Sequence, residues 1–205
     1  MRDGSIRLRL LALAASLAAV VCFLLIQRPA WFFPSTASIT RLPSAGTSEL
    51  SLREGRLYRA GETVGFTGLM LETYEGGVQK SRTSISNGLI HGLSEGWHTN
   101  GQLQVSEVFK EGKSHGIRTK YYSNGTNLSQ ATIVDGRIEG QFRRWHENGR
   151  LAEQIDMKDG VPHGVSLTYF PSGYLRAQTV LSNGATVTQK FWRDGQVKES
   201  PATTR

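Results

Sequence analysis

The stretch that decides the fold runs from Gly136 to Gly160, GRIEGQFRRWHENGRLAEQIDMKDG. An Asp-Gly step closes each end (Asp135-Gly136 and Asp159-Gly160), and Asn148-Gly149 sits near the middle. Asn-Gly and Asp-Gly between short alternating runs are strong local hairpin signals, because Gly and Asn reach positive φ at low cost. The stretch therefore predicts a β-hairpin with another tight turn on either side.

Working outward, the same unit recurs every 24 residues in three glycine columns. The first column is Gly68, Gly92, Gly116, Gly140 and Gly164. The second is Gly77, Gly101, Gly125, Gly149 and Gly173. The third is Gly88, Gly112, Gly136, Gly160 and Gly184. Fifteen of the 23 glycines are thereby placed, as structural turn residues of five tandem hairpins. The first and last units are eroded: Val64 and Thr73 replace a glycine and an aromatic residue, and Thr188 stands where a sixth first-column glycine is due. Terminal repeats depart from consensus because they cap the stack.

Side-chain parity gives an expectation for the faces, since alternate residues of a strand point to opposite sides. After the His-Gly step the odd positions hold Leu93, Trp97, Ile117, Tyr121, Trp145, Val165, Leu167 and Tyr169; in the return strands they hold Leu103, Val105, Phe109, Ala131, Ile133, Leu151, Ile155, Met157, Leu175, Ala177 and Leu181. One face is then apolar on both strands, provided the loop has an odd count. Three-residue Ser123-Asn124-Gly125 and Glu147-Asn148-Gly149 turns with a glycine bulge satisfy this. His98, His146, Arg118, Lys120, Gln130 and Arg144 fall on the wet side. The expected fold class is all-β: an elongated, single-layer antiparallel sheet of 24-residue hairpin repeats, about 50 Å long.

The unit Asx-Gly-x-x-His-Gly, aromatic pair, x-Asn-Gly-x-Leu, as in Asp159-Gly160-Val161-Pro162-His163-Gly164 through Tyr169-Phe170-Pro171-Ser172-Gly173-Tyr174-Leu175, resembles the bacterial variant of the MORN repeat. Many bacterial chains with such repeats are grouped as YwqK-type proteins and labelled antitoxins, so the resemblance implies a protein-neutralising role.

Outside the repeats the chain divides by composition. Residues 1–60 hold eight Lys/Arg against three Asp/Glu, whereas residues 61–195 hold fourteen against thirteen. A nearly neutral repeat domain lacks the clustered cations that a phosphate backbone requires, which argues against a nucleic-acid partner. From Leu10 to Ile26 every residue is apolar or small, with Arg2, Arg7 and Arg9 before the run. This predicts a basic cytoplasmic segment over 1–9 and a transmembrane signal anchor over 10–26. The charge bias places the C-terminal domain outside the cytoplasm, periplasmic in a Gram-negative cell. Ser35-Thr36-Ala37 keeps a cleaved secretory signal open as the alternative. Residues 27–56 read as a flexible linker, 57–195 as the repeat domain with its degenerate cap, and 196–205 as a disordered tail. The single cysteine, Cys22, lies in the apolar run and excludes a disulfide framework.

Chemistry finds little foothold. His91, His115 and His163 share one repeat column and His98 and His146 another. Column mates a whole repeat apart, roughly 10 Å, cannot share a metal bound at about 2 Å. Glu111, Asp135 and Asp159 precede turn glycines, where a carboxylate caps a turn. No catalytic residue, metal ligand or cofactor is assigned. The candidate partner-binding residues are the aromatic ladder Trp97, Tyr121, Trp145 and Tyr169, on an apolar face that a single sheet cannot cover by itself. A partner protein, a second copy of the chain, or the segment around Leu57, Tyr58 and Phe66 could close it. The expected function is a non-enzymatic, membrane-tethered scaffold for protein–protein interaction, with an antitoxin-type role and an envelope polysaccharide-binding or enzymatic domain as alternatives.

Overall fold

A computed structural model describes residues 42–196. They form fourteen strands: β1 (Ser44–Gly46), β2 (Leu50–Arg53), β3 (Arg56–Arg59), β4 (Gly68–Thr73), β5 (Gln79–Ser86), β6 (Leu89–Trp97), β7 (Leu103–Lys110), β8 (Lys113–Tyr121), β9 (Asn127–Val134), β10 (Arg137–Trp145), β11 (Leu151–Lys158), β12 (Val161–Tyr169), β13 (Leu175–Ser182) and β14 (Ala185–Phe191). Twelve of them make one sheet, β4 to β14 in chain order with β1 added beside β4; β2 and β3 pair separately. Every neighbouring pair is antiparallel except β1–β4. The described part is thus all-β, and none of its helices is long and apolar enough to cross a membrane. The expected basic segment 1–9, the apolar run 10–26 and the tail beyond Gln196 lie outside the described residues.

Two kinds of turn alternate along the sheet. At Asn87-Gly88, Glu111-Gly112, Asp135-Gly136, Asp159-Gly160 and Asn183-Gly184 both residues have positive φ, near 50° and 80°. That is the type I′ pair whose twist matches the flanking strands. At the opposite edge the loops have three residues. Tyr122 N–H donates to Thr126 O (2.8 Å) and Gly125 N–H to Tyr122 O (2.9 Å), with Gly125 at φ +84°. The same pair of bonds recurs at His98, His146 and Phe170.

The face assignment by parity needs correction. Next to each three-residue turn odd residues do meet odd ones: Trp97–Leu103, Tyr121–Asn127, Trp145–Leu151 and Tyr169–Leu175. One step further the register shifts, and Gly96 meets Val105, Lys120 meets Ser129, Arg144 meets Glu153 and Thr168 meets Ala177. Each return strand takes up one extra residue, Gln104, Leu128, Ala152 or Arg176, as a β-bulge. Register partners share a face, so a one-residue shift sends the rest of the return strand's odd residues to the other side. Ile117 lies opposite Thr132 and is 56% exposed, whereas Ile133 lies opposite Gly116 and is 1% exposed. The apolar residues are therefore divided between two faces rather than collected on one.

The first face carries the better-buried set: Ile85, Ala131, Ile133 and Ala177, with Thr83 and Ser166 buried among them. Its polar members are largely self-satisfied in the N-terminal half. Thr83 and Ser94 hydroxyls are 2.9 Å apart, and Arg118 meets Glu107 at 2.6 Å, with Ser114 also donating to Glu107. Pairing matters there because a half-buried polar group without a partner costs stability.

The expected linker over 27–56 also needs correction. Residues 44–46 and 50–53 are strands, joined by a single 3-10 turn at Thr47–Glu49. Ala45, Phe66 and Ile85 form a buried cluster, packed around by Leu50, Leu57, Met70 and Ile90. Polar composition concealed this because the cap works mostly through its backbone: Leu57 N–H donates to Gly88 O, Gly88 N–H to Phe66 O, and Leu69 N–H to Pro43 O. The segment around Leu57 and Phe66 thereby closes the N-terminal end of the first face.

Candidate interaction surface

Trp97, Tyr121, Trp145 and Tyr169 are the last residues of β6, β8, β10 and β12, and all four are half-buried. Their carbonyl oxygens are engaged. Tyr74 Oη donates to Trp97 O (2.8 Å) and Tyr122 Oη to Trp145 O (2.9 Å). His98 Nε2 lies 3.1 Å from Tyr121 O, and His146 Nε2 lies 2.9 Å from Tyr169 O. A column of alternating Tyr and His thus stitches each hairpin to the next, and residues expected on a wet surface are half-buried braces. Phe170 ends the column; having no donor, it stands beside Arg176, whose guanidinium carbon is 5.8 Å from the ring centroid.

A second column runs along the same edge. Asn100, Asn124 and Asn148 each accept the backbone N–H two residues on, at 2.9–3.1 Å. Their Nδ2 groups donate to the carbonyls of Ser123, Glu147 and Pro171 in the following turn, at 2.7, 3.4 and 2.8 Å. Asparagine serves both demands because its side chain holds an acceptor and two donors.

At the type I′ edge the other histidines do comparable work. His91, His115 and His163 accept at Nδ1 from the N–H of Glu111, Asp135 and Asn183, at 3.3, 3.4 and 3.4 Å. Glu139 takes the place in the fourth unit and accepts from Asp159 N–H at 2.6 Å. The glycine of each turn donates to the preceding repeat as well, as in Gly112 to Ile90 O and Gly136 to Ser114 O, both 2.8 Å. Both N–H groups of the turn dipeptide are therefore satisfied, which accounts for the spacing of the His-Gly step. Among the described residues no three His, Cys, Asp or Glu side chains are grouped to hold a metal ion.

Of the glycines expected in turns, Gly101, Gly112, Gly125, Gly136, Gly149, Gly160 and Gly173 sit in them, whereas Gly92, Gly116, Gly140 and Gly164 lie inside β6, β8, β10 and β12, where the register with a neighbouring strand shifts; all eleven have positive φ. Only glycine enters that region without a Cβ penalty.

What the second face leaves open is aliphatic. Leu93 and Val108 are register partners, 41% and 39% exposed, and Ile117 follows on β8. Val165, at 38%, opens a second patch beside its partner Val180. Between the two patches stand Thr132, Gln141, Arg143 and Asp156, where the repeat positions turn polar. The Arg82–Glu95 ion pair (2.5 Å) borders the first patch, with Arg82 5.8 Å from the Trp97 ring. Val108, an even-numbered residue, is the member that parity alone assigned to the wrong side; the bulge at Gln104 brings it beside Leu93.

Residues 90–111 and 138–159 match a family model described as the MORN repeat variant. A comparison with curated proteins finds no match. Among solved structures, similarity is found to a crystal structure of an S. aureus TarM mutant in complex with Fondaparinux, alpha-GlcNAc-glycerol and UDP, at a TM-score of 0.32 and 10% identity over 58% of this chain. This chain spans 20% of that one, and a likeness of this size carries no argument. The two matched segments each run from the fore strand of one hairpin to the next type I′ turn, so the repeat unit of this sheet is similar to the MORN repeat variant.

Proposed function

We propose that this chain is a non-enzymatic scaffold that binds another protein through the exposed aliphatic patch of the second face, centred on Leu93, Val108 and Ile117. The observation that carries this reading is the contiguity of three exposed aliphatic side chains on a sheet whose other apolar residues are mostly half-buried or buried. Clustered apolar exposure, as opposed to scattered single residues, is what marks an interaction surface. The half-buried aromatic ladder ends the same strands, β6 and β8, that carry Leu93 and Ile117. The apolar run 10–26 tethers the scaffold to a membrane, with the repeats outside the cytoplasm, as the flanking charges favour.

The test is site-specific photo-crosslinking of the full chain in native membranes, with the reactive residue at Ile117 or at Asp156. Capture of one defined protein from position 117, lost in Leu93→Ser/Val108→Ser and absent from position 156, supports the patch. Equal capture from both positions sinks it. Protease accessibility in intact cells tests the topology: repeats cleaved only after the inner membrane is breached contradict the extracytoplasmic placement.

A further inference from the structure

Near the C-terminal end of the first face three register partners form a row: Thr168 on β12, Ala177 on β13 and Phe191 on β14. Ala177, 5% exposed, is the low point between two taller neighbours. The next row sets Thr179 opposite Gln189. Because β13 is bulged here, Arg176 lines the same hollow as Ala177. The result is a cavity of about 370 Å³, with an alanine floor, Tyr169 and Phe191 as its aromatic lining and a rim of polar groups.

Several of those polar groups are unspent, although His146 is engaged with Tyr169 O. The hydroxyls of Thr168 and Thr179 and the amide of Gln189 make no hydrogen bond within the described residues. Arg176 pairs with no carboxylate there and is held from behind by the Phe170 ring. The other guanidinium at the groove, Arg144, is already engaged by Glu153 at 3.2 Å, so that pair adds no free charge. On the N-terminal half of the first face Thr83 pairs with Ser94 and Arg118 with Glu107.

We propose that this groove binds a carboxylate-bearing sugar. A guanidinium with free donors matches a carboxylate, two hydroxyls and an amide match a polyol, and an exposed phenyl face suits the apolar side of a sugar ring. Phe191, 66% exposed, has no packing role that would account for it. An equivalent hollow lies 48 residues earlier, between His98, Val105, Lys120, Tyr121 and Leu128. Leu128 replaces Arg176 there, Lys120 replaces Thr168 and Gln104 replaces Ala152, so a similar shape offers an amine in place of the guanidinium and hydroxyls and serves as a comparison. The proposal is independent of the protein-binding patch, which lies on the other face.

The experiment is saturation-transfer NMR on the full chain in detergent micelles, with D-glucuronate, D-glucose and acetate as probes. Glucuronate is expected to receive the strongest transfer, and Arg176→Gln to weaken it about tenfold while leaving glucose unchanged. Phe191→Ala is expected to remove both sugars, and Lys120→Gln to remove neither, with circular dichroism confirming that each variant is folded. Absence of transfer to either sugar overturns the proposal. So does acetate displacing glucuronate as well as unlabelled glucuronate does, which would make this a simple anion site, and so does an unchanged response in Arg176→Gln.

Discussion

His146 Nε2 lies 2.9 Å from the carbonyl oxygen of Tyr169, twenty-three residues further along the chain. The same bond is made by a tyrosine hydroxyl in the preceding unit, Tyr122 to Trp145 O. Replacing Tyr122 by Phe removes the donor and keeps the ring, leaving a half-buried carbonyl without its partner. A loss of about 1–2 kcal/mol is expected, read as a lower urea midpoint at unchanged slope. His146→Tyr, which restores a donor already used in the column, should cost much less.

Gly136 and Gly88 hold the same place in two type I′ turns, at φ +85° and +77°, but their surroundings differ. A Cβ at Gly136 meets nothing within 4 Å, whereas at Gly88 it would come within 2.8 Å of the Arg56 Cβ and 2.9 Å of Leu57 O. Gly136→Ala should therefore show the backbone penalty alone, about 1–2 kcal/mol. Gly88→Ala should cost clearly more, because the N-terminal cap must also shift. Thermal melts of the two variants side by side measure the difference.

Ile117 and Ile133 test the bulged register directly. Ile133→Ala should destabilise by about 2–4 kcal/mol, the range for a fully buried aliphatic side chain, whereas Ile117→Asn should stay within about 0.5 kcal/mol. Similar losses at both positions would restore the unbulged register, in which the two residues share a face.

Lys80 sits 2.8 Å from Glu72, and that hydrogen bond, followed by the carboxylate's charge, raises the lysine pKa above its ordinary 10.5. A group whose pKa is raised on folding stabilises the protein below its unfolded value, and the contribution fades as pH rises through the folded one. The stability difference between wild type and Lys80→Met should thus be level across neutral pH and vanish in the strongly alkaline range. Both partners are exposed, so added salt should shrink it throughout. Denaturation midpoints across that pH range, at low and high salt, provide the check.

The glycine columns made the hairpins, their period and both turn positions legible, because positive φ leaves few residue choices. The bulge was illegible for the opposite reason. Gln104, Leu128, Ala152 and Arg176 share a place in the backbone but no side-chain type, so nothing in the sequence marks where the parity changes. The columns of His91 and His98 told against a shared metal, but their bracing role was not legible, because their partners, backbone groups in the next repeat, carry no sequence signature. The N-terminal cap escaped notice because Ser44–Gly46 and Leu50–Arg53 are strands too short and too polar to show alternation. The open patch was half visible: Leu93 and Ile117 stood on the face with the aromatic ladder, and Val108 joined them only through the register shift.

The bonds between turns share a direction. Tyr74, His98, Asn100, Tyr122, Asn124 and Asn148 reach a later carbonyl, and Thr67, His91, His115, Glu139 and His163 receive a later N–H. In every case the side chain belongs to the earlier repeat and the backbone group to the later one. A chain leaving the ribosome therefore exposes each set of docking side chains before the hairpin that will settle on them, and synthesis and assembly proceed in the same sense. Removing the last repeat leaves a row of side chains that water can satisfy, but removing the first strips partners from backbone groups already committed to the fold.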